Sequence, residues 1–166
     1  MQLRIGSGFD VHRFSETEEP GAVIMIGGVA IASKRPLLAH SDGDVLVHAL
    51  CDALLGALAL GDIGRHFPDT NPQYRGISSL LLLQEVMRMV REKAWEIANV
   101  DLTLIAQEPR FAPHANAIRL SLATTLGIGE ELVSVKATTT EGLGFTGRKE
   151  GIACQAVALL QRHTPA

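Results

Sequence analysis

Asp10 and His12 stand two residues apart in Gly8-Phe9-Asp10-Val11-His12, a stretch that alternates loosely like a strand. Residues i and i+2 of a strand share a face, so this carboxylate and imidazole can converge on one ion. A second series, His40, Asp44, His48 and Asp52, recurs at every fourth residue. On a helix beginning near Ser41, Asp44, His48 and Asp52 form one stripe in otherwise apolar sequence, with His40 just before the cap. Asp10, His12 and His48 together make the two-histidine, one-carboxylate set of an open zinc site, whose fourth position is left vacant. Asp52, one turn beyond His48, is expected to orient the free ring nitrogen of that histidine. Asp44 or His40 is expected to face substrate instead. Cys51 adjoins His48 in sequence but lies well round the helix from it, and no ligand role is expected of it.

A third group is Thr138-Thr139-Thr140-Glu141-Gly142-Leu143-Gly144-Phe145-Thr146-Gly147-Arg148. Its hydroxyls and glycines offer donors to phosphate oxygens, and Glu141 suits a hard cation such as Mg²⁺. Gly142-x-Gly144-x-x-Gly147 matches the dinucleotide fingerprint in letters only, because a strand follows it and no strand–helix–strand unit surrounds it. No GxxxxGK[ST] run is present, which excludes a P-loop enzyme. Ala106-Gln107-Glu108-Pro109-Arg110-Phe111-Ala112 is a turn after a strand, carrying one basic residue. Asp62-Ile63-Gly64 and Phe67-Pro68-Asp69-Thr70 read equally well as capped loop. His66, His114 and His163 sit in polar surroundings and receive no role.

The elements that must hold these groups follow from periodicity and punctuation. Leu3–Phe14 reads as a strand. Val23–Ile26, Gly27-Gly28 and Val29–Ile31 read as a hairpin, since paired glycines supply the positive φ angles of a two-residue turn. A helix opens at Ser41-Asp42-Gly43-Asp44, runs to Leu60 and stops at Gly61. Residues 61–76 carry loop chemistry. A second helix is expected from Ser78/Ser79 through Ala98, with Leu82, Val86, Met89 and Val90 on one face. Val100–Ala106 reads as a strand, and Pro113 begins a third helix that ends at Gly127. Val133–Thr139 and Ile152–Leu160 are the closing strands. The class is α+β, a single sheet backed by helices on one face.

Composition sets outer bounds. The chain has 166 residues, 46% hydrophobic and 20% charged, which suits one globular domain without staples. Aromatics are only 4%, so the core must be aliphatic. Fifteen basic against 18 acidic residues give a net charge of −3, which argues against a nucleic-acid binder that works by bulk phosphate neutralisation. Two cysteines, Cys51 and Cys154, are too few for a disulfide framework, and their apolar neighbours suggest reduced thiols. The N-terminal residues lack an apolar signal core and the longest apolar run is too short to span a bilayer, so a cytoplasmic protein without membrane association is expected.

Taken together, these segments resemble the 2-C-methyl-D-erythritol 2,4-cyclodiphosphate synthase family of the non-mevalonate isoprenoid pathway, over nearly the whole chain. The most specific matches are Gly8–His12, Ala39–Asp44 with His48, Gly61–Gly64 with Phe67–Thr70, Lys136–Glu141 and Gly144–Arg148. The resemblance implies a cyclising, CMP-releasing lyase, in which the 2-phosphate of a 4-diphosphocytidyl-2-C-methylerythritol substrate attacks its own β-phosphorus. It puts Zn²⁺ or another divalent transition metal on Asp10, His12 and His48, and Mg²⁺ or Mn²⁺ on Glu141. His40 and Thr139 match transition-state stabilisers. Ser41, Asp62, Ile63 and Gly64 match contacts to the methylerythritol phosphate, with Phe67, Pro68, Asp69, Thr70 and Asn71 nearby. Ala106, Gln107, Glu108, Pro109, Arg110, Phe111 and Ala112 match the cytidine diphosphate site, together with Thr138, Thr140 and Glu141. Phe145 and Arg148 match further phosphate-side positions. The family fold is a four-stranded mixed sheet with helices, assembled as a homotrimer with sites between subunits, and some relatives hold an isoprenoid diphosphate in a central channel, where Arg148 would be the basic contact. Arg110, Asn71, Gly142 and Glu108 depart from common family residues at positions that bear on nucleotide affinity.

Two other functions use the same residues. A zinc-dependent phosphoester hydrolase would activate water on the Asp10/His12/His48 set. A nucleotide- or isoprenoid-sensing module with a structural zinc would need four protein ligands, and the sequence offers three.

Overall fold

Gly6, Gly8, Asp10 and His12 alternate along one face of the first strand, β1 (Gln2–Arg13). The computed structural model describes residues 1–68, 70–74 and 76–162 of the chain. On the face of β1 that carries those residues lies α1 (Val45–Ala57), which is buried along nearly its whole length. The approach is unusually close. A Cβ on Gly6 would fall 1.9 Å from the carbonyl oxygen of Ala53, and one on Gly8 would fall 2.0 Å from that of Ala49. Helix backbone therefore rests directly on strand backbone, which only glycine in the strand and alanine in the helix permit.

β1 is an edge of a four-stranded sheet of order β1-β6-β4-β5, whose other strands are β4 (Glu96–Ile105), β5 (Val133–Thr138) and β6 (Gly151–Arg162). β6 pairs antiparallel with both β1 and β4, while β4 and β5 run parallel, so the sheet is mixed. Asp10 stands opposite Cys154 and His12 opposite Ile152. A separate hairpin, β2 (Val23–Ile26) and β3 (Val29–Ala32), turns through Gly27 and Gly28 at φ 59° and 77°. These are the positive angles that the paired glycines predict. The remaining helices are α2 (Ile63–His66), α3 (Ser79–Glu92), α4 (Ala115–Leu126) and α5 (Gly144–Gly147).

The core lies between the sheet and α1, α3 and α4, and it is aliphatic, built around Leu46, Leu50, Leu54, Leu83, Leu102, Ile118, Leu122 and Leu160. The opposite face of β1 is apolar and open, with Leu3, Ile5, Phe9 and Val11 exposed by 55%, 71%, 56% and 39%. The α+β class and the mixed four-stranded sheet with an additional hairpin agree with expectation. Among the described residues, no helix is long and apolar enough to cross a membrane.

Several boundaries differ from the sequence reading. The second helix stops at Glu92 rather than Ala98, because Ala94 takes φ 56° and Glu96 already belongs to β4. No glycine or proline marks that stop. The first helix begins at Val45, four residues after Ser41, and ends at Ala57. The 61–76 stretch, expected to be loop, contains the single turn of α2 and a 3₁₀ turn at Pro72–Tyr74. α5 is a further helical turn within the glycine-rich connector.

Candidate metal centre

Because α1 lies so close to β1, His48 on the helix reaches the two polar side chains at the end of the strand. Asp10 Oδ2 is 3.1 Å from His12 Nε2 and 3.1 Å from His48 Nδ1, and the two ring nitrogens are 3.0 Å apart. The three atoms form a nearly equilateral triangle. Ligands of a tetrahedral zinc ion with bonds near 2.05 Å stand about 3.3 Å apart, so one cation fits such a triangle with little adjustment. Two histidines and one carboxylate also leave a fourth position free. Although burial opposes it, the hydrogen bonds and charges of His12 and His48 hold the Asp10 carboxyl well below the usual aspartate range.

The triangle opens into a cavity of about 410 Å³. His40, Ser41, Ile63, Gly64, Phe67, Pro68, Thr70, Tyr74, Ile77 and Leu82 line the rest of it. Nine residues expected at the metal and methylerythritol phosphate sites thus share one pocket with His40, a volume in the range of small-molecule sites. Asp62 caps α2 by accepting from Arg65 N at 3.0 Å, and Asn71 Oδ1 accepts from Gln73 N at 3.1 Å. Asp69 lies outside the described residues.

Two expectations for α1 are corrected. Asp44 does not face substrate: it is wholly buried and caps the helix. Its Oδ1 accepts from Gly27 N at 2.9 Å and Val47 N at 3.1 Å, and its Oδ2 accepts from Gly28 N at 2.7 Å. Burial raises its carboxyl despite those three donors. Asp52 does not orient His48 either, because its Oδ1 accepts from Ile63 N at 2.8 Å at the start of α2. Burial raises its carboxyl too. The second ring nitrogen of His48 instead meets Ser79 Oγ at 2.8 Å and Ser41 Oγ at 3.1 Å. Ser79 was read only as a helix start, and sequence spacing gives no sign that it reaches His48.

The residues expected on the phosphate and nucleotide side lie elsewhere on the chain. Ala106, Gln107, Pro109, Arg110, Phe111 and Ala112 join Thr138 and Thr139 around a second cavity of about 280 Å³, beyond the paired ends of β4 and β5. None of its lining residues is shared with the metal-side cavity. Glu108 is not among its lining residues and pairs with Lys149 at 2.9 Å. Thr139 Oγ1 donates to Glu141 Oε1 at 3.0 Å, and Glu141 is exposed at φ 54°. Thr140 Oγ1 donates to the carbonyl of Leu143 and pins the connector. Phe145 lines a third cavity of about 470 Å³ with Val11, Arg13, Phe14 and Arg35. Arg148 pairs with Glu150 at 2.8 Å on the surface. Both cysteines are buried free thiols, their pKa values pushed up by burial, and neither belongs to the site.

Residues 3–161 match the YgbB family. The chain belongs to that family. Its relatives include the 2-C-methyl-D-erythritol 2,4-cyclodiphosphate synthase of Azotobacter vinelandii, 62% identical over 158 residues that make up 95% of this chain and 98% of the relative. The enzyme of the same name from Pseudomonas aeruginosa strain UCBPP-PA14 is 60% identical over 158 residues, with the same coverage of 95% and 98%. Among solved structures, IspF of Plasmodium falciparum in a CDP complex is similar at TM-score 0.84 and 36% identity, over 98% of this chain and 97% of that one. The bifunctional IspDF of Campylobacter jejuni is similar at TM-score 0.91 and 42% identity; 98% of this chain corresponds to 43% of that larger chain.

Proposed function

We propose that this family member is a 2-C-methyl-D-erythritol 2,4-cyclodiphosphate synthase and that it acts as a cyclising, CMP-releasing lyase on a cytidine diphosphate derivative. The observation that carries the reading is the Asp10/His12/His48 triangle in a pocket also lined by Ser41, Ile63, Gly64, Phe67, Pro68 and Thr70. Curated relatives at about 60% identity bear that enzyme's name. In the reaction an oxygen of the substrate's 2-phosphate bonds to the β-phosphorus. The bond from that phosphorus to the bridging oxygen breaks, and CMP leaves with the bridging oxygen and its electron pair. No protein nucleophile is needed, so the work is positioning and charge stabilisation.

Asp10, His12 and His48 would hold Zn²⁺ or a similar divalent metal, and Glu141 would hold Mg²⁺ or Mn²⁺ beside substrate phosphates. Such ions, when bound, polarise phosphoryl oxygens and offset their charge. Ser41, Asp62, Ile63 and Gly64 hold the methylerythritol phosphate, with Phe67, Pro68, Thr70 and Asn71 nearby. The 106–112 turn with Thr138, Thr140 and Glu141 receives the cytidine diphosphate, while His40 and Thr139 donate to oxygens on which charge grows. Phe145 and Arg148 lie toward the phosphate side.

The two cavities of one chain share no lining residue, and the open face of β1 is apolar. Both features support a homotrimer in which the metal side of one subunit meets the cytidine side of the next; an isoprenoid diphosphate in a central channel is part of the same proposal. The chain is read as a single domain, active in the cytoplasm without nucleic acid or membrane as a partner. Product analysis tests the reaction. Incubation with 4-diphosphocytidyl-2-C-methylerythritol 2-phosphate in ¹⁸O water is expected to yield the cyclic diphosphate and CMP, both without label. A linear phosphate carrying ¹⁸O would make the protein a hydrolase and overturn the reading.

A further inference from the structure

His48 presents Nδ1 to Asp10 and His12, and can serve as a ligand through that atom only if the proton of the neutral ring sits on Nε2. The environment of Nε2 settles where the proton belongs. Ser79 Oγ donates to Asp42 Oδ1, since an ionised carboxylate can only accept. Asp42 is an acceptor for this whole corner, taking Ser79 N on Oδ2 at 2.9 Å and Asp44 N on Oδ1 at 3.3 Å. With its hydrogen spent on Asp42, Ser79 Oγ can meet Nε2 at 2.8 Å only as an acceptor. An unprotonated Nε2 there would set two lone pairs against each other in a buried place, since Ser79 is 0% and His48 6% exposed. Ser41 Oγ, 3.1 Å from Nε2, already accepts from Gly43 N at 3.2 Å and can share the same ring hydrogen. Its own hydroxyl hydrogen then remains available to a ligand in the pocket that it lines.

We infer that Asp42 and Ser79 are positioning residues which, through the chain Asp42–Ser79–His48, fix the ring tautomer that makes His48 Nδ1 a metal ligand. The inference rests on the metal reading of the Asp10/His12/His48 triangle and adds to it the groups that prepare one corner. Neither Asp42 nor Ser79 touches the triangle itself. Asp42 reaches it across the gap between the start of α1 and the start of α3, so two separate chain segments set the state of one imidazole. In Asp42→Asn the amide can turn its NH₂ toward Ser79 Oγ, which frees the hydroxyl hydrogen for Nε2 and drives the ring proton to Nδ1, the wrong nitrogen for binding. In Ser79→Ala the acceptor is lost. Ser79→Thr keeps it.

The test is zinc affinity of the full chain, measured by competition with a chromophoric chelator, together with the visible spectrum of the cobalt-loaded protein and urea unfolding of the metal-free protein. Ser79→Ala and Asp42→Asn are expected to weaken zinc binding about 10- to 100-fold, the usual penalty for losing the hydrogen-bond partner of a ligating histidine. Both should also alter the cobalt spectrum. Ser79→Thr is expected to restore wild-type affinity, and Asp52→Asn to leave it unchanged. Wild-type zinc affinity in Asp42→Asn and Ser79→Ala overturns the inference, while a wild-type protein that binds no zinc overturns the metal reading instead. If Ser79→Ala does not fold, the near-isosteric Asp42→Asn decides.

Discussion

The two cavities are built in opposite ways. On the metal side the functional groups are continuous with the core: His48 belongs to a buried helix, and Asp10 and His12 continue the strand face on which that helix rests. Their ligand atoms already stand within 3.1 Å of one another. On the proposed nucleotide side, Thr139 and Glu141 are exposed, lie on a connector held by its own short hydrogen bonds, and contact each other rather than anything in the interior. Geometry that must be accurate to a fraction of an ångström, as ligand spacing must, is set by close-packed backbone. The surface proposed to accept a large, polar nucleotide is left on a segment whose partners come from outside the core.

Three substitutions would break or sharpen this contrast. Gly8→Ala should have the largest effect, because the added methyl meets the Ala49 carbonyl and the helix must move away. We expect a loss of about 3 kcal/mol or more in urea unfolding, and metal affinity that falls with it. Unchanged stability would mean that the helix–strand contact is not the support described. Thr139→Val comes next and should separate chemistry from folding. Turnover is expected to fall about 10²-fold, near 2.7 kcal/mol, as for one donor to a developing oxyanion. Its unfolding midpoint should stay at the wild-type value, and a stability loss comparable to that of Gly8→Ala would erase the distinction between the two sides.

Asp52→Asn should be the mildest, since an amide oxygen can still accept from Ile63 N. A cost under about 1 kcal/mol is expected. The pH dependence carries more information. Burial raises the Asp52 carboxyl above its ordinary 3.8, so the folded state holds this proton more tightly than the unfolded chain does. That contribution is complete below 3.8 and is lost as pH rises through the folded value. Relative to the Asn variant, the wild type should therefore lose stability with rising pH across that window and then level off. A gap in urea midpoints that widens in the wild type's favour instead would reverse the assignment.

Much of the site was legible because its residues obey local periodicities. Asp10 and His12 share a face by the two-residue repeat of a strand, and the paired glycines announced their hairpin. What escaped was contact between segments distant in sequence. The four-residue spacing points to Asp52 as the partner of His48, whereas the nearer of its two actual partners, Ser79, lies 31 residues away on a different helix. The same spacing put Asp44 on a functional stripe, although its carboxylate is consumed by the turn of the hairpin. Strand β1 also inverts the usual pattern, presenting glycines and ligands to the helix and its apolar residues outward. The end of α3 was overrun because an alanine, not a glycine, takes the left-handed angle there.

The glycine–alanine joint between β1 and α1 also has a thermodynamic side. One and the same distance, helix axis to strand, sets both the tightness of the core and the size of the ligand triangle. An ion that binds only when this distance is short binds only the folded chain, and at a free concentration a thousand times its dissociation constant it adds about 4 kcal/mol to resistance against unfolding. If the Asp10/His12/His48 triangle holds such an ion, its supply would govern more than turnover: starved of it, the protein would become easier to open and easier to degrade, starting from its most tightly closed seam.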